Sequence, residues 1–216
     1  MPNILVVDKP KGLTSNDVVQ KIKHHFKYKK VGHAGTLDPN ATGVLVIGFN
    51  EGTKLLSTLV NDTKEYIADI QFGIETDTYD ITGKILVEKP YNHITLEMIA
   101  HALNHFKNSE YQQLPPMYSA KKVHGIKLYE LARANKTIDI KPVLVKINSC
   151  EIINFDNHIL RISLNVSKGF YVRSFAHDLG IYLNSCATMG DLRRTKSGQF
   201  TIENSITLDN LLKDNS

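Results

Sequence analysis

Apolar residues recur every second position at Tyr66, Ala68, Ile70, Phe72 and Ile74, and again at Leu160, Ile162, Leu164 and Val166 against Arg161, Ser163 and Asn165. A period of two predicts a half-buried strand in each segment. The apolar run Val143 to Phe155 precedes the second of these, and Asp156-Asn157 between them predicts a hairpin joining an antiparallel pair. Helical spacing appears instead at Leu96, Ile99, Leu103 and Phe106 after Thr95, and over Val172 to Leu183, where Phe175, Leu179 and Leu183 share a side. Near the start, Asn3 to Val7 reads as a short buried strand and Asp8 to Gly12 as a turn. Thr14 and Ser15 then read as N-caps of a basic amphipathic helix reaching Phe26. After Phe200 the pattern leaves a short strand and a last helix, Ile206 to Leu212. Strands and helices are interspersed without regular βαβ alternation, which predicts an α+β fold with a largely antiparallel sheet.

No repeat, low-complexity tract or linker interrupts this pattern, so a single domain is expected over residues 1–216. One region stands apart. Gln112 to Asn135 carries Pro115-Pro116, then Met117-Tyr-Ser-Ala-Lys-Lys-Val-His-Gly125, then a helical Ile126 to Ala134, and reads as a loop-helix insertion. Its Lys, His and Tyr content suits an element that closes over an anionic ligand, and a plain packed connection fits equally well.

Charge adds a class of partner. The net charge is +4, but Lys21, Lys23, Lys27, Lys29 and Lys30 cluster with His24 and His25 in a stretch free of acids. Smaller excesses occur at Lys121, Lys122 and Lys127, and at Arg193, Arg194 and Lys196. Each alone reads as a solvated face; their recurrence beside glycine-rich turns favours a polyanion such as RNA or DNA. Cys150 and Cys186 lie far apart without zinc-like spacing, so they read as reduced thiols, and neither a metal site nor a disulfide framework is indicated. The N-terminal apolar stretch is too short for a signal peptide, and no segment has the length to span a bilayer, which points to the cytoplasm.

The densest chemistry lies in Val31-Gly-His-Ala-Gly-Thr-Leu-Asp-Pro-Asn-Ala-Thr-Gly-Val-Leu45. Gly32, Gly35 and Gly43 permit backbone angles closed to other residues, Pro39 fixes the dihedral after Asp38, and Thr36 and Thr42 offer hydroxyls that can tie the turn to itself. Asp38 is thus expected to be held. A phosphate cradle is disfavoured, because no Gly-Lys-Ser/Thr follows and the carboxylate would repel phosphate. An ordinary strand connection with an Asx-turn remains open on these residues alone.

Four segments, taken in order, resemble the TruB family of tRNA pseudouridine synthases: Asp8-Lys-Pro-Lys-Gly-Leu-Thr-Ser15; Gly32 to Leu45; Pro115-Pro-Met-Tyr-Ser-Ala-Lys121 with Leu128-Tyr-Glu-Leu-Ala-Arg133; and Ser167-Lys-Gly-Phe-Tyr-Val-Arg173 through Asp178-Leu-Gly180 to Leu192-Arg-Arg194. The resemblance covers almost the whole chain. It implies the pseudouridine synthase fold, a largely antiparallel mixed sheet flanked by helices, with Gln112 to Asn135 as a thumb-like insertion that clamps RNA. It also implies conversion of the uridine at position 55, in the T-loop of tRNA, to pseudouridine. The glycosidic bond breaks, the uracil rotates in its pocket, and the base rejoins through carbon 5. No cofactor or metal is needed, no protein partner is implied, and a monomer is expected.

In that resemblance Asp38 is the catalytic residue. It must be ionised to attack carbon 6 or assist departure of the base at the sugar, and burial alone raises a carboxylate's pKa. Arg173 matches the arginine that pairs with it; a guanidinium stays charged and can hold both oxygens. Tyr66 matches the tyrosine that stacks on the target base and can assist proton removal from carbon 5. His33 resembles the histidine filling space vacated by everted T-loop bases, and Leu192 an apolar residue of the uracil pocket. Lys21, Lys23, Lys30 and Lys121 are the candidate RNA contacts, whereas Lys9, Pro10 and Gly12 resemble a motif that packs beneath the catalytic loop.

The chain departs from the family pattern at Val166, where a cysteine is common, and at Asn184 and Thr188, where a glycine and a histidine are. Relatives also continue past the last helix into a small RNA-binding PUA-type domain, which is not expected here. Two other readings stand beside the enzyme: an RNA-binding or tRNA-folding module without turnover, and a synthase acting on another RNA.

Overall fold

The computed structural model describes residues 3–60, 62–119, 122–123, 126–128 and 140–213. In chain order the elements are β1 (Ile4–Lys9), α1 (Ser15–His25), β2 (Val31–Ala34), β3 (Thr42–Phe49), a 3₁₀ turn (Asn50–Leu55), α2 (Leu56–Leu59), β4 (Lys64–Phe72), β5 (Ile74–Thr76), β6 (Ile85–Glu88), α3 (Leu96–Asn108) and β7 (Tyr111–Gln113). There follow β8 (Lys122–Val123), β9 (Ile126–Lys127), β10 (Val143–Val145), β11 (Ile147–Asp156), β12 (Ile159–Val166), α4 (Val172–Tyr182), β13 (Ala187–Ser197), β14 (Phe200–Thr201), β15 (Ile206–Thr207) and α5 (Leu208–Lys213). The chain forms two compact units, Met1–Ile67 with Asp191–Ser216, and Ala68–Gly190.

The first unit is built around β3. This strand pairs antiparallel with β1, from Ile4↔Gly48 to Lys9↔Gly43, and antiparallel with β2. It also pairs in parallel with β13 at Arg193↔Thr42 and Arg194↔Gly43. Leu45 and Ile47 face one core, with Val7, Val18, Val19, Ile22, Leu208 and Leu211, whereas Val44 and Val46 face another with Ala34 and Leu59. A strand buried on both sides has no polar face, which is why Val44 to Ile47 is continuously apolar rather than alternating. Helix α1 starts at a capping box. Thr14 Oγ1 accepts from the Asp17 N–H at 3.0 Å while Asp17 accepts from the Thr14 N–H at 2.8 Å.

In the second unit β11 and β12 pair antiparallel from Ile147↔Val166 to Asp156↔Ile159, with β12 beside β4. Asn157 turns the hairpin at φ 53°, a conformation asparagine tolerates. Phe106 of α3, Tyr111 of β7 and Phe175 of α4 meet edge to face at 5.0–6.4 Å. Asn184, after α4, has φ 54°. That left-handed angle is one asparagine tolerates better than most side chains after a helix.

The expected α+β class with a mainly antiparallel mixed sheet holds, and several boundaries move. Strand β1 runs on through Asp8 and Lys9, because both pair with β3. The run Val143 to Phe155 breaks at Lys146 into β10, paired with β7, and β11. Ile206 and Thr207 are strand, in parallel register with Val7 and Asp8, and the last helix starts at Leu208. Ile126 and Lys127 pair with Lys122 and Val123 instead of opening a helix; the remainder of that expected helix after Leu128 lies outside the described residues. Leu96, at the first turn of α3, is 54% exposed, so the apolar stripe begins at Ile99. Cys150 is half-buried and Cys186 buried, and both are free thiols. No described helix is long and apolar enough to cross a membrane.

The packing of α1 is testable. Ile22 is fully buried, so Ile22→Ala should lower the unfolding free energy by about 2–5 kcal/mol. Exposed Lys23→Ala next to it should stay within about 0.5 kcal/mol. Urea unfolding of both variants measures this; equal effects would mean that α1 does not dock through Ile22.

Candidate active site

Asp38 sits half-buried in the connection between β2 and β3, and its two chain neighbours are each tied to the segment that follows β1. Ser15 Oγ accepts from the Leu37 N–H at 2.9 Å and donates back to the Leu37 carbonyl at 3.1 Å. On the other side the Pro39 carbonyl accepts from the Gly12 N–H at 2.8 Å and from Lys9 Nζ at 3.2 Å. The Ala41 N–H closes the turn onto the Asp38 carbonyl at 3.0 Å. The loop is therefore held mainly from the β1–α1 turn. Of the two hydroxyls expected to tie it internally, Thr42 Oγ1 instead accepts from Arg193 at 3.3 Å, and Thr36 is exposed.

Lys9 is the centre of this clamp. It is fully buried, and its ammonium also donates to the Leu13 carbonyl at 2.6 Å and the Pro10 carbonyl at 2.8 Å. Burial pushes its pKa down to about 8, against the opposing pull of the Asp38 carboxylate.

Arg194 forms a second buried cation, 1% exposed. Its Nε donates to the Val44 carbonyl at 2.7 Å and its Nη2 to the Gly35 carbonyl at 3.1 Å, so it braces both ends of the Asp38 loop. Gly43 has φ 101°, and a Cβ there would meet the Arg194 carbonyl oxygen at 2.1 Å. Only glycine lets these backbones pair so closely. Lys64 is buried too, donating to the Asp62 and Val60 carbonyls at 2.6 and 3.3 Å, with a pKa lowered to about 8 by burial and by Arg194. Arg193 holds Asp8 through both carboxylate oxygens at 2.7 and 3.1 Å, and Lys196 lies 3.4 Å from Glu65. Within the basic cluster 193–196, Arg194 is therefore a structural cation and a correction to its reading as polyanion surface, whereas Arg193 and Lys196 keep part of their side chains exposed; nothing in charge counting separates a buried arginine from an exposed one.

Of the expected site residues, His33, Tyr66 and Leu192 share the unit of Asp38. Tyr66 is buried on β4 in strict alternation with Lys64, and Leu192 is buried on β13 with the same parity as Arg194. His33 lies on β2 with Nδ1 buried and lacking a hydrogen-bond partner among the described residues, and burial lowers its pKa, with Arg194 adding to the effect. Lys21, Lys23 and Lys30 are exposed. Lys121 lies outside the described residues.

Arg173 belongs to the second unit, on the first turn of α4, and is 5% exposed. It donates to the Thr78 carbonyl at 3.1 Å and the Tyr118 carbonyl at 2.9 Å, and its Nη1 lies 3.8 Å from Asp80 Oδ2. Asp80 is itself fixed: Oδ1 accepts from the Thr82 N–H at 2.9 Å, from the Thr82 hydroxyl and from the Thr78 hydroxyl at 3.1 Å. Asp80 escaped the sequence reading, although Thr76-Asp-Thr-Tyr-Asp80 with Thr82-Gly83 carries the polar spacing of a self-bonded turn.

Two family models match consecutive parts of the chain: TruB family pseudouridylate synthase (N terminal domain) over residues 23–172, and tRNA pseudouridylate synthase B C-terminal domain over 173–215. A tRNA pseudouridine synthase B of Ureaplasma urealyticum is 54% identical over 209 residues, 96% of this chain and 91% of that one. One of Clostridium tetani is 43% identical over 215 residues, all of this chain and 74% of the relative. Among solved structures, a Cbf5-Nop10-Gar1 complex aligns with a TM-score of 0.76 at 27% identity over 97% of this chain. An H/ACA RNP bound to a substrate RNA containing 2'-deoxyuridine aligns with a TM-score of 0.71 at 26% identity. This chain spans about half the length of those two chains, 53% and 52%.

The Lys9 clamp has a pH signature. Its folded pKa of about 8 lies below the ordinary 10.5, so between these values the unfolded chain binds more protons and stability contributed by this group rises with pH. Below pH 8 the burial cost is carried in full. The stability of the wild type minus that of Lys9→Met should therefore increase from pH 7.5 to pH 9.5 in urea melts, a comparison in which the other titrating groups cancel. A pH-independent difference would show that Lys9 titrates normally.

Proposed function

The chain belongs to the TruB family of pseudouridylate synthases, and from that membership we propose that it isomerises uridine in tRNA to pseudouridine, at position 55 of the T-loop, with Asp38 as the reacting carboxylate. The observation that carries this reading is the clamp: the backbone on both sides of Asp38 is tied down by residues distant in sequence, inside the Gly-Thr-Leu-Asp-Pro-Asn-Ala-Thr-Gly block. A loop that merely joined two strands would need no such hold.

The chemistry is balanced within the substrate. The bond from N1 to the sugar breaks, a bond from carbon 5 forms, the proton lost from carbon 5 is matched by one gained at N1, and no oxidant or cofactor enters. One carboxylate can therefore serve at both ends of the reaction. Arg173 is assigned as the cation that keeps it charged, Tyr66 as the ring stacked on the uracil and candidate acceptor for the carbon 5 proton, Leu192 as pocket wall and His33 as the wedge replacing everted bases. With its pKa lowered, His33 enters the RNA stack as a neutral ring, which avoids placing a charge between bases. Lys21, Lys23 and Lys30 line up the phosphates of the T-arm. The protein acts on tRNA as a monomer in the cytoplasm, one catalytic domain without a protein partner.

The relatives named for tRNA favour this substrate over the alternative of another RNA, since they are 54% and 43% identical where the H/ACA structure is 26% identical. Mapping pseudouridines in RNA from cells lacking the protein decides between them: loss at position 55 is expected, and loss elsewhere with that site intact would reassign the substrate.

Asp38→Asn should bind T-arm RNA within about threefold of the wild type yet form no pseudouridine in a tritium-release assay, since the amide removes the charge and keeps the shape. Retained turnover would remove Asp38 from the mechanism, and a failure to bind would favour a structural role. Replacing Lys21, Lys23 and Lys30 together by alanine should weaken tRNA binding and flatten its dependence on log salt by about one unit for each phosphate no longer neutralised. An unchanged slope would clear these three lysines of any role in RNA binding.

A further inference from the structure

Arg173 shares one face of α4 with His177, one helical turn on, and both reach the same turn, Thr76 to Gly83. Tyr79 lies at the tip of that turn with φ 60°, a left-handed conformation that is exceptional for a bulky aromatic residue. Its neighbours Thr78 and Asp80 both meet Arg173, through the Thr78 carbonyl at 3.1 Å and Asp80 Oδ2 at 3.8 Å, beside the Tyr118 carbonyl at 2.9 Å. An unfavourable backbone angle between two such partners persists only where the surroundings determine it, and here they do. The Tyr79 N–H donates to the Thr76 carbonyl at 3.2 Å, its carbonyl accepts from the Met189 N–H at 2.9 Å, and its ring stacks on His177 at 4.2 Å with 22° between planes.

His177 is fixed in turn. Its Nδ1 lies 3.2 Å from Asp178 Oδ1 and its Nε2 3.6 Å from Glu75 Oε1. Asp178 Oδ2 also accepts from the buried Tyr111 hydroxyl at 2.6 Å. The imidazole is thereby held as a flat shelf between carboxylates, and the Tyr79 ring rests on it.

We propose that the Tyr79–His177 stack is a positioning device for the reaction: it locks the strained Thr78–Asp80 segment against α4, and through Thr78 and Asp80 it sets the orientation of the Arg173 guanidinium. Neither ring touches the substrate in this role. Its bearing on catalysis rests on the assignment of Arg173 to the reaction.

The test compares His177→Leu, which fills the space without a π face, with His177→Phe, which keeps the ring. Tyr79→Leu and Tyr79→Phe form the matching pair. On T-arm RNA the two leucine variants should fall about tenfold in single-turnover rate with the dissociation constant within about twofold of the wild type, and the two phenylalanine variants should stay within about twofold in both. A leucine variant at full rate, or His177→Phe as slow as His177→Leu, overturns the proposal. A second readout is independent of turnover. The ¹⁵N signals of the Arg173 guanidinium, assigned with Arg173→Lys, should shift and broaden in His177→Leu and not in His177→Phe. If they do so in a protein that makes no pseudouridine, the enzymatic assignment fails and the positioning stands; if they stay unmoved, the positioning fails whatever the activity.

Discussion

The interaction on which the Asp38 loop depends is one ammonium group meeting three carbonyls. Lys9 is wholly shielded from water, and an isolated charge treated so costs several kcal/mol. Three hydrogen bonds to a charged donor, each worth about 1.5–3 kcal/mol, offset that cost, and the nearby Asp38 carboxylate adds its field. The net stabilisation is modest. The geometric consequence is large, because the three acceptors belong to residues 10, 13 and 39 and so fasten the Asp38 loop to the turn after β1.

That fastening explains residue choices which look unrelated along the chain. Gly12 offers its N–H to Pro39 from φ 90°. Ser15, adjacent to the true N-cap Thr14, turns its hydroxyl away from the helix and bonds Leu37 in both directions. Arg194 completes the frame from β13 by holding Gly35 and Val44 on either side of the loop, with Gly43 lacking a Cβ where β13 passes. Small and charged residues at these positions serve the backbone of the loop that carries Asp38.

Periodicity carried the reading of the fold where burial is one-sided. The alternation of β4 and β12, the stripe of α3 and the hairpin at Asn157 were all visible, because each follows from local spacing. What escaped was non-local. The two-residue strand β15 exists only through its parallel partners Val7 and Asp8, and the continuous burial of β3 follows from a core packed on each of its faces. Buried Lys64 and Arg194 escaped for a related reason: a lone positive residue on an alternating strand reads as surface, and only coordinates reveal the carbonyls that receive it. Asp38 itself stood out through its glycines and proline, yet the hold on it comes from Lys9 and Ser15, more than twenty positions away.

The tethers act on the backbone of residues 37 and 39, so these bonds fix the origin of the Asp38 side chain without engaging its carboxylate oxygens. In the isomerisation proposed for this chain the same group would face the sugar–base bond as it breaks and again as the new bond forms, while the base turns in between, and a fixed origin for the Asp38 side chain serves both steps. That origin is as stiff as the loop backbone, and the ammonium of Lys9 beneath the loop supplies part of the stiffness.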